Sequence, residues 1–373
     1  MLLPLRANAV EASYAAAIDG SGKKVVGYTD VQPASWIVDG SHSQSPHILQ
    51  DDYPLWGAAN GISRDGEVIV GWNAPNAFRW TESGGMENLG PGEAFAVSND
   101  GMTVVGDYFD EHHLRSRAMR WTPAGKTDLG EGAARAVSAD GQVTVGWDGH
   151  NHATLWEDGL TKVLWSPGIA QDISADGSIV VGGNMLWTRA GGAKPLGPEL
   201  LTLSAVTDDG SLIVGSQIGG AIEWRPSRGV QDLATVLVRD YGLGNQLGEL
   251  DLEYATDVSP TGNAIVGYSG NSIPWVVQLV DPLLGDANFD DRVDLNDFGI
   301  LKAHIGSGHW RDEGDFNRDL RVDLTDVGVL KDNFGRVAGV TTVVEPVPEP
   351  AGLLLATLAA ALLGLARLRL VRR

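Results

Sequence analysis

Between residues 10 and 280 the chain alternates short apolar runs with polar turns that carry glycine, and the alternation repeats. Seven segments follow one pattern: IDGSGKKVVG, ISRDGEVIVG, VSNDGMTVVG, VSADGQVTVG, ISADGSIVVG, VTDDGSLIVG and VSPTGNAIVG. Each ends in Val-Gly, at Gly27, Gly71, Gly106, Gly146, Gly182, Gly215 and Gly267. A tryptophan follows each after 5 to 15 residues: Trp36, Trp80, Trp121, Trp156, Trp187, Trp224 and Trp275. The pattern predicts strand, tight turn, strand, loop and strand, with a short fourth strand before the next copy. The Asp-Gly turns need positive φ, which glycine supplies at little cost. The β-branched run after each turn suits a strand covered on both faces.

Four strands in roughly 38 residues is the size of one propeller blade. One such unit cannot bury both of its faces, so the units must stack around an axis. The expectation is a mainly β fold, a seven-bladed β-propeller over residues 10–280, against an open β-solenoid or two packed sheets. The tryptophans are expected in blade cores, with ligand stacking as the other use. The repeats resemble the HAF family of extracellular repeats, which implies an extracellular location and no defined activity.

Composition narrows the partners. The net charge is −21, which disfavours nucleic acid and anionic lipid. There is no cysteine, hence no disulfide or thiolate site. No nucleophile–base pair stands out, so no catalytic residue is assigned. The turn SNDGMTVVG shares only Ser, Asp and Gly with the SxDxGxTW boxes of sialidase-type propellers, where these residues stabilise turns. His112, His113, His150 and His152 lie in polar segments and read as solvated loop residues, a transition-metal pair being the alternative. A ligand site in the central channel is compatible with the pattern, but the repeats do not name its residues.

The hydrophobic alternation stops near residue 280, and a different pattern follows. GDANFDDRVDLNDF, from residue 285, returns 29 residues later as GDFNRDLRVDLTDV. Asp286, Asn288 and Asp290 fall at positions 1, 3 and 5 of a loop, the Arg292 carbonyl at 7, Asp294 at 9 and Asp297 at 12. The second copy places Asp315, Asn317, Asp319, Arg321, Asp323 and Asp326 in the same way. This is EF-hand spacing, in which alternate oxygens wrap a hard cation and relieve carboxylate repulsion. Two Ca2+ sites are expected. Phe298, Leu301 and Ile305, matched by Val327, Leu330 and Phe334, predict a short helix after each loop, closed by Gly306 and Gly335.

The tandem copy, with Asp at position 12 and no full entering helix, resembles a type I dockerin over residues 285–336. The resemblance implies calcium-dependent docking onto a cohesin-like module, with Leu295, Asn296, Leu324 and Thr325 at the partner-reading positions 10 and 11. The Ser-Thr pair usual there is missing. Position 6, usually glycine, is Asp291 and Leu320.

A linker, 337–346, leads to Val347-Pro348-Glu349-Pro350, an uncharged run over 351–366 and an arginine cluster. A helix over 351–370, extended by snorkelling Arg367 and Arg369, would span a membrane with its arginines inside. Residues 347–373 resemble a PEP-CTERM sorting signal, which implies processing by exosortase, transient inner-membrane anchoring and release to the surface or matrix of a Gram-negative-type bacterium. The first 20 residues show no apolar export core. The start is therefore expected upstream, and the closing strand of the propeller with it. The leading expectation is a non-enzymatic surface protein whose propeller binds or displays. The alternatives are a polysaccharide-degrading enzyme tethered through its dockerin, and a purely structural protein stapled by calcium.

Overall fold

A computed structural model describes residues 2–4, 13–29, 32–38, 47–49, 56–110, 115–197, 200–247, 251–270 and 273–338. The chain divides into two units, Met1–Val280 and Asp281–Arg373.

In the first unit each repeat forms antiparallel strands in sequence order. The opening repeat runs Ser13–Ile18, Lys24–Thr29, Gln32–Ile37 and His47–Ile48. The Val-Gly segment is always the second strand, and the tryptophan lies on the third. Trp36 and Trp275 are fully buried, and Trp80, Trp121, Trp156 and Trp187 nearly so. Trp224 is partly buried against Ile213 and Ile222. The tryptophan column is therefore core, where truncation to alanine costs about 3–5 kcal/mol.

The innermost strands stand side by side in chain order. Ser13–Ile18 neighbours Gly57–Ile62, then come Glu93–Val97, Gly125–Val137, Asp172–Ile173, Thr202–Val206 and Tyr254–Val258, which returns to Ser13–Ile18. The ring is thus closed. Gly125–Val137 serves two sheets: its first half pairs with Arg115–Thr122 and its second half with Thr144–Asp148. Apolar seams join neighbours. Val68, Val70 and Ala77 of the second repeat meet Ala94, Met119 and Trp121 of the third. At the closure, Ala15, Val25 and Trp36 meet Ala264, Val266 and Val276.

The closing strand is present, contrary to the expectation that it lies upstream. Leu2–Pro4 pairs antiparallel with Pro274–Gln278 and fills the outer place of the last sheet. Residues from the two ends of the unit therefore share one sheet. A second feature absent from the sequence reading is the helix Leu233–Arg239, capped by Asp232, whose Oδ1 accepts from Thr235 N at 2.7 Å. It buries Leu233, Val236 and Leu237.

The repeated glycine has a steric cause. A β-carbon on Gly146 would lie 2.0 Å from the Ala133 carbonyl oxygen, and one on Gly27 1.9 Å from that of Tyr14. The second strand passes too close to the inner strand for any side chain. Opposite these glycines the inner strand carries a β-bulge, as between Ala134 and Ala136. The serine and aspartate of the turn act together. Ser138 Oγ donates to Asp140 at 2.7 Å and accepts from Val143 N at 2.9 Å, while Asp140 accepts from Gln142 N at 3.0 Å. Turns also bond around the ring: Asn99 N donates to Ala139 O, Ala139 N to Ala175 O, and Ala175 N to Asp208 O.

In the second unit, helices Leu295–His304 and Leu324–Asn333 follow the two acidic loops at the expected offset. They pack over Val293, Phe298, Leu301, Val322 and Leu330. Gly306 and Gly335 lie just past the helix ends with φ of 79° and 82°. Each loop bonds to the segment after the other helix: Gly335 N donates to Val293 O, and Gly306 N to Val322 O. Residues 339–373, hence the Pro-Glu-Pro motif and the 351–370 helix, lie outside the described residues.

Gly146→Ala is expected to destabilise the first unit by on the order of 3 kcal/mol, because backbone must move to admit the methyl group. Denaturant unfolding followed by tryptophan fluorescence measures it; a loss below about 1 kcal/mol, the cost of an ordinary surface change, would refute the steric reading.

Candidate functional site

The acidic loops show one hydrogen-bond network twice. Asp286 accepts from Asp290 N at 3.3 Å and Asp291 N at 2.9 Å; Asp315 accepts from Asp319 N at 3.1 Å and Leu320 N at 2.9 Å. Asn288 and Asn317 each accept from the amide two residues on, at 3.1 and 3.0 Å. Asp290 and Asp319 accept from Arg292 N and Arg321 N, both at 3.0 Å. Asp294 and Asp323 cap the helices, accepting from Asn296 N at 2.7 Å and Thr325 N at 2.8 Å. Asp297 Oδ1 reaches back to Ala287 N at 2.9 Å and its Oδ2 to Asp294 N at 2.8 Å; Asp326 does the same with Phe316 N and Asp323 N, both at 2.9 Å.

Backbone strain repeats too. Phe289 and Arg318 at position 4, and Asp291 and Leu320 at position 6, have φ of 57°, 59°, 65° and 70°. Leu320 holds without glycine the left-handed turn that glycine usually makes, at a cost of roughly 1–2 kcal/mol. Asp286, Asp297, Asp315 and Asp326 are almost completely buried. Burial, together with the nearby Asp297 charge, pushes Asp286 up to about 6. Burial also raises Asp326.

Among the described residues no three His, Asp or Glu side chains form a metal-holding group by themselves. The expected ligand set of each loop also draws on Asn288 or Asn317 and the Arg292 or Arg321 carbonyl. These oxygen-only donors, with carboxyls buried where a cation would offset their charge, fit a hard cation such as Ca2+. Leu295 and Leu324 stand 56% and 60% exposed at the helix starts, beside exposed Asn296 and Thr325.

His112 and His113 lie outside the described residues. His150 and His152 stack with centroids 6.0 Å apart, and His152 Nδ1 lies 2.9 Å from Asp148 Oδ2. That pairing fixes a loop.

The inner strands of all the repeats enclose a cavity of about 470 Å³, which the sequence reading did not populate. The bulge explains its lining. One extra residue leaves the ladder in each inner strand, and that residue faces the cavity: Ala16, Asn60, Phe95, Arg135, Ser204 and Thr256, with Gln171 in the matching place. The next position is alanine or glycine except at Asp172 and Asp257. These two carboxyls stitch neighbouring strands. Asp172 Oδ2 accepts from Val206 N at 2.8 Å, and Asp257 Oδ2 from Ile18 N at 2.9 Å. Burial pushes Asp172 up to about 7; burial and the Asp172 charge push Asp257 up to about 8. Arg135 lies over Phe95, 4.1 Å from the ring centroid, and burial lowers its pKa against the opposing pull of Asp107 and Glu93. A signal was in the sequence: the column AAAI, ANGI, AFAV, ARAV, AQDI, LSAV, ATDV varies freely at its second or third place while its flanks stay apolar.

No family model and no curated protein matches the sequence. The fold has clear relatives among solved structures. It is similar to the Myceliophteria thermophila Cps50 (Swd1) β-propeller domain, at 10% identity and a TM-score of 0.51, over 75% of this chain and 100% of that one. It is equally similar to the RRP9 WD40 repeats, at 12% identity and 0.51, over 75% and 97%. The mainly β body is therefore a β-propeller.

Because Asp172 and Asp257 hold protons that the unfolded chain releases, their contribution favours folding at low pH and fades as pH rises toward 7–8. Asp257→Asn keeps an acceptor for Ile18 N and removes this penalty. Its melting temperature should exceed that of the wild type by clearly more at pH 8.5 than at pH 5; an equal difference at both pH values would exclude the titration.

Proposed function

We propose that this is an exported, non-enzymatic surface or matrix protein of a Gram-negative-type bacterium. Its body is a seven-bladed propeller, one blade per repeat, that serves as a binding or display platform. Residues 285–336 form a dockerin-like plug that loads two Ca2+ ions and docks onto a cohesin-like partner. Residues 347–373 act as a PEP-CTERM signal for exosortase, and the membrane holds the chain only in transit.

The observation that carries the reading is the atom-by-atom repetition of the loop network at an offset of 29 residues, with positive φ at positions 4 and 6 of both copies. Chance acidic loops have no reason to share such strain. The oxygen donors suit Ca2+, and Leu295 and Leu324 give the plug two matched apolar contacts for a partner. The propeller side rests on the closed ring of inner strands and on a polar channel. The partner separates docking from a bare calcium staple.

Calorimetry of the full chain should resolve two Ca2+ sites, the second weaker because Leu320 carries the strained turn. Leu320→Gly should tighten that site by roughly fivefold, the equivalent of about 1 kcal/mol. One site, or none, would sink the calcium reading, and unchanged affinity in the glycine variant would sink the strain argument. A pull-down from the native surface fraction is expected to retain a partner with Ca2+ and lose it with EDTA. Replacing both Leu295 and Leu324 with Asp should release the partner while Ca2+ binding persists. Retention of no protein under either condition would leave the loops as a staple.

A further inference from the structure

The channel combines groups that no single charge can satisfy. Arg135 sets a flat guanidinium over Phe95, and its Nε is buried without a hydrogen-bond partner among the described residues. It is the one Lys or Arg among the residues that line the cavity. Asp172 and Asp257 contribute carboxyl oxygens that keep lone pairs beyond the strand amides they already accept from. Gln171 and Ser204 add an amide and a hydroxyl to the same lumen.

An anion placed on Arg135 would meet Glu93 and Asp107 beside it, in a chain of net charge −21. A cation placed on the Asp pair would share the lumen with the Arg135 charge. A neutral molecule rich in hydroxyls meets neither penalty, because each hydroxyl donates to a carboxyl and accepts from a guanidinium or amide. A volume of about 470 Å³ is within the roughly 300–1,000 Å³ range of small-molecule sites. The groups are also held in place. Asp172 and Asp257 are fixed by neighbouring strands and Arg135 by its ring contact, so binding orders few side chains.

We infer that the propeller channel binds a neutral sugar of one or two rings, with Arg135, Gln171 and Ser204 as donors and Asp172 and Asp257 as acceptors. This rests on the reading of the propeller as a binding platform and names its ligand class. The bulge residues then set specificity, because each blade contributes one side chain that can change without disturbing the core.

The test titrates the full chain with glucose, galactose, mannose, xylose, maltose, cellobiose and lactose, by calorimetry and by ligand-observed NMR. Sodium glucuronate and glucosamine serve as charged comparators. At least one neutral sugar should bind saturably, one per chain, and more tightly than either comparator. Arg135→Met, which keeps the contact with Phe95, should weaken binding about tenfold or more, and Gln171→Ala should weaken it measurably, as expected for lost hydrogen bonds. Both variants should melt near the wild-type temperature, and should Arg135→Met fail to fold, Gln171→Ala alone decides. Binding by no neutral sugar, preference for a charged comparator, or unchanged affinity in the folded variants would overturn the inference. Retention of the native surface polysaccharide under any of those results would leave the platform reading standing; loss of both would end both.

Discussion

The propeller unit depends on one close approach of backbone to backbone. In every repeat the second strand lays a glycine against a carbonyl oxygen of the inner strand, at a distance that excludes a β-carbon. That contact lets the inner strand bulge. The bulge then tilts one residue out of the ladder and toward the axis. Without the glycine the strands would separate, the bulge would lose its partner, and the lining of the channel would change residue by residue. Core packing and channel chemistry therefore share one cause, although they use different side chains.

The division of labour follows from it. Valines and tryptophans on the second and third strands fill the seams between sheets, where shape matters and polarity is costly. Ser-x-Asp-Gly turns hold the hairpins, and several bond to the next turn around the ring, so those repeats are tied to their neighbours at the rim as well as in the core. The bulge residue escapes both duties. It can be Asn, Phe, Arg, Gln, Ser or Thr with little consequence for folding, which leaves it available for recognition. Two further positions depart from this tolerance: Asp172 and Asp257 bury carboxyls to bridge neighbouring strands, an arrangement that costs desolvation.

Much of this was legible in the residues and some was not. The repeat, the four-stranded unit and the buried tryptophans followed from periodicity, because apolar alternation and Asp-Gly turns are local signals. The acidic loops, their helices and the glycines that end them were readable for the same reason. The channel was not, because a bulge shifts facing by one residue and so defeats a strict period of two. The helix at Leu233–Arg239 lies in an inter-repeat segment to which the repeat pattern assigns no element. The partner of Pro274–Gln278 was missed because no local pattern in Leu2–Pro4 announces a strand that joins the far end of the unit.

That last pairing has a temporal side. Leu2–Pro4 and Pro274–Gln278 meet across nearly the whole unit, and Asp257 reaches Ile18 at the same joint. As the chain emerges from its start, early repeats have an open flank and the first strand has nothing to pair with. Only after the last sheet is made can the circle lock. Contacts so distant in sequence slow folding and expose strand edges meanwhile. A ring of this kind closes in one late event, after its last sheet has formed.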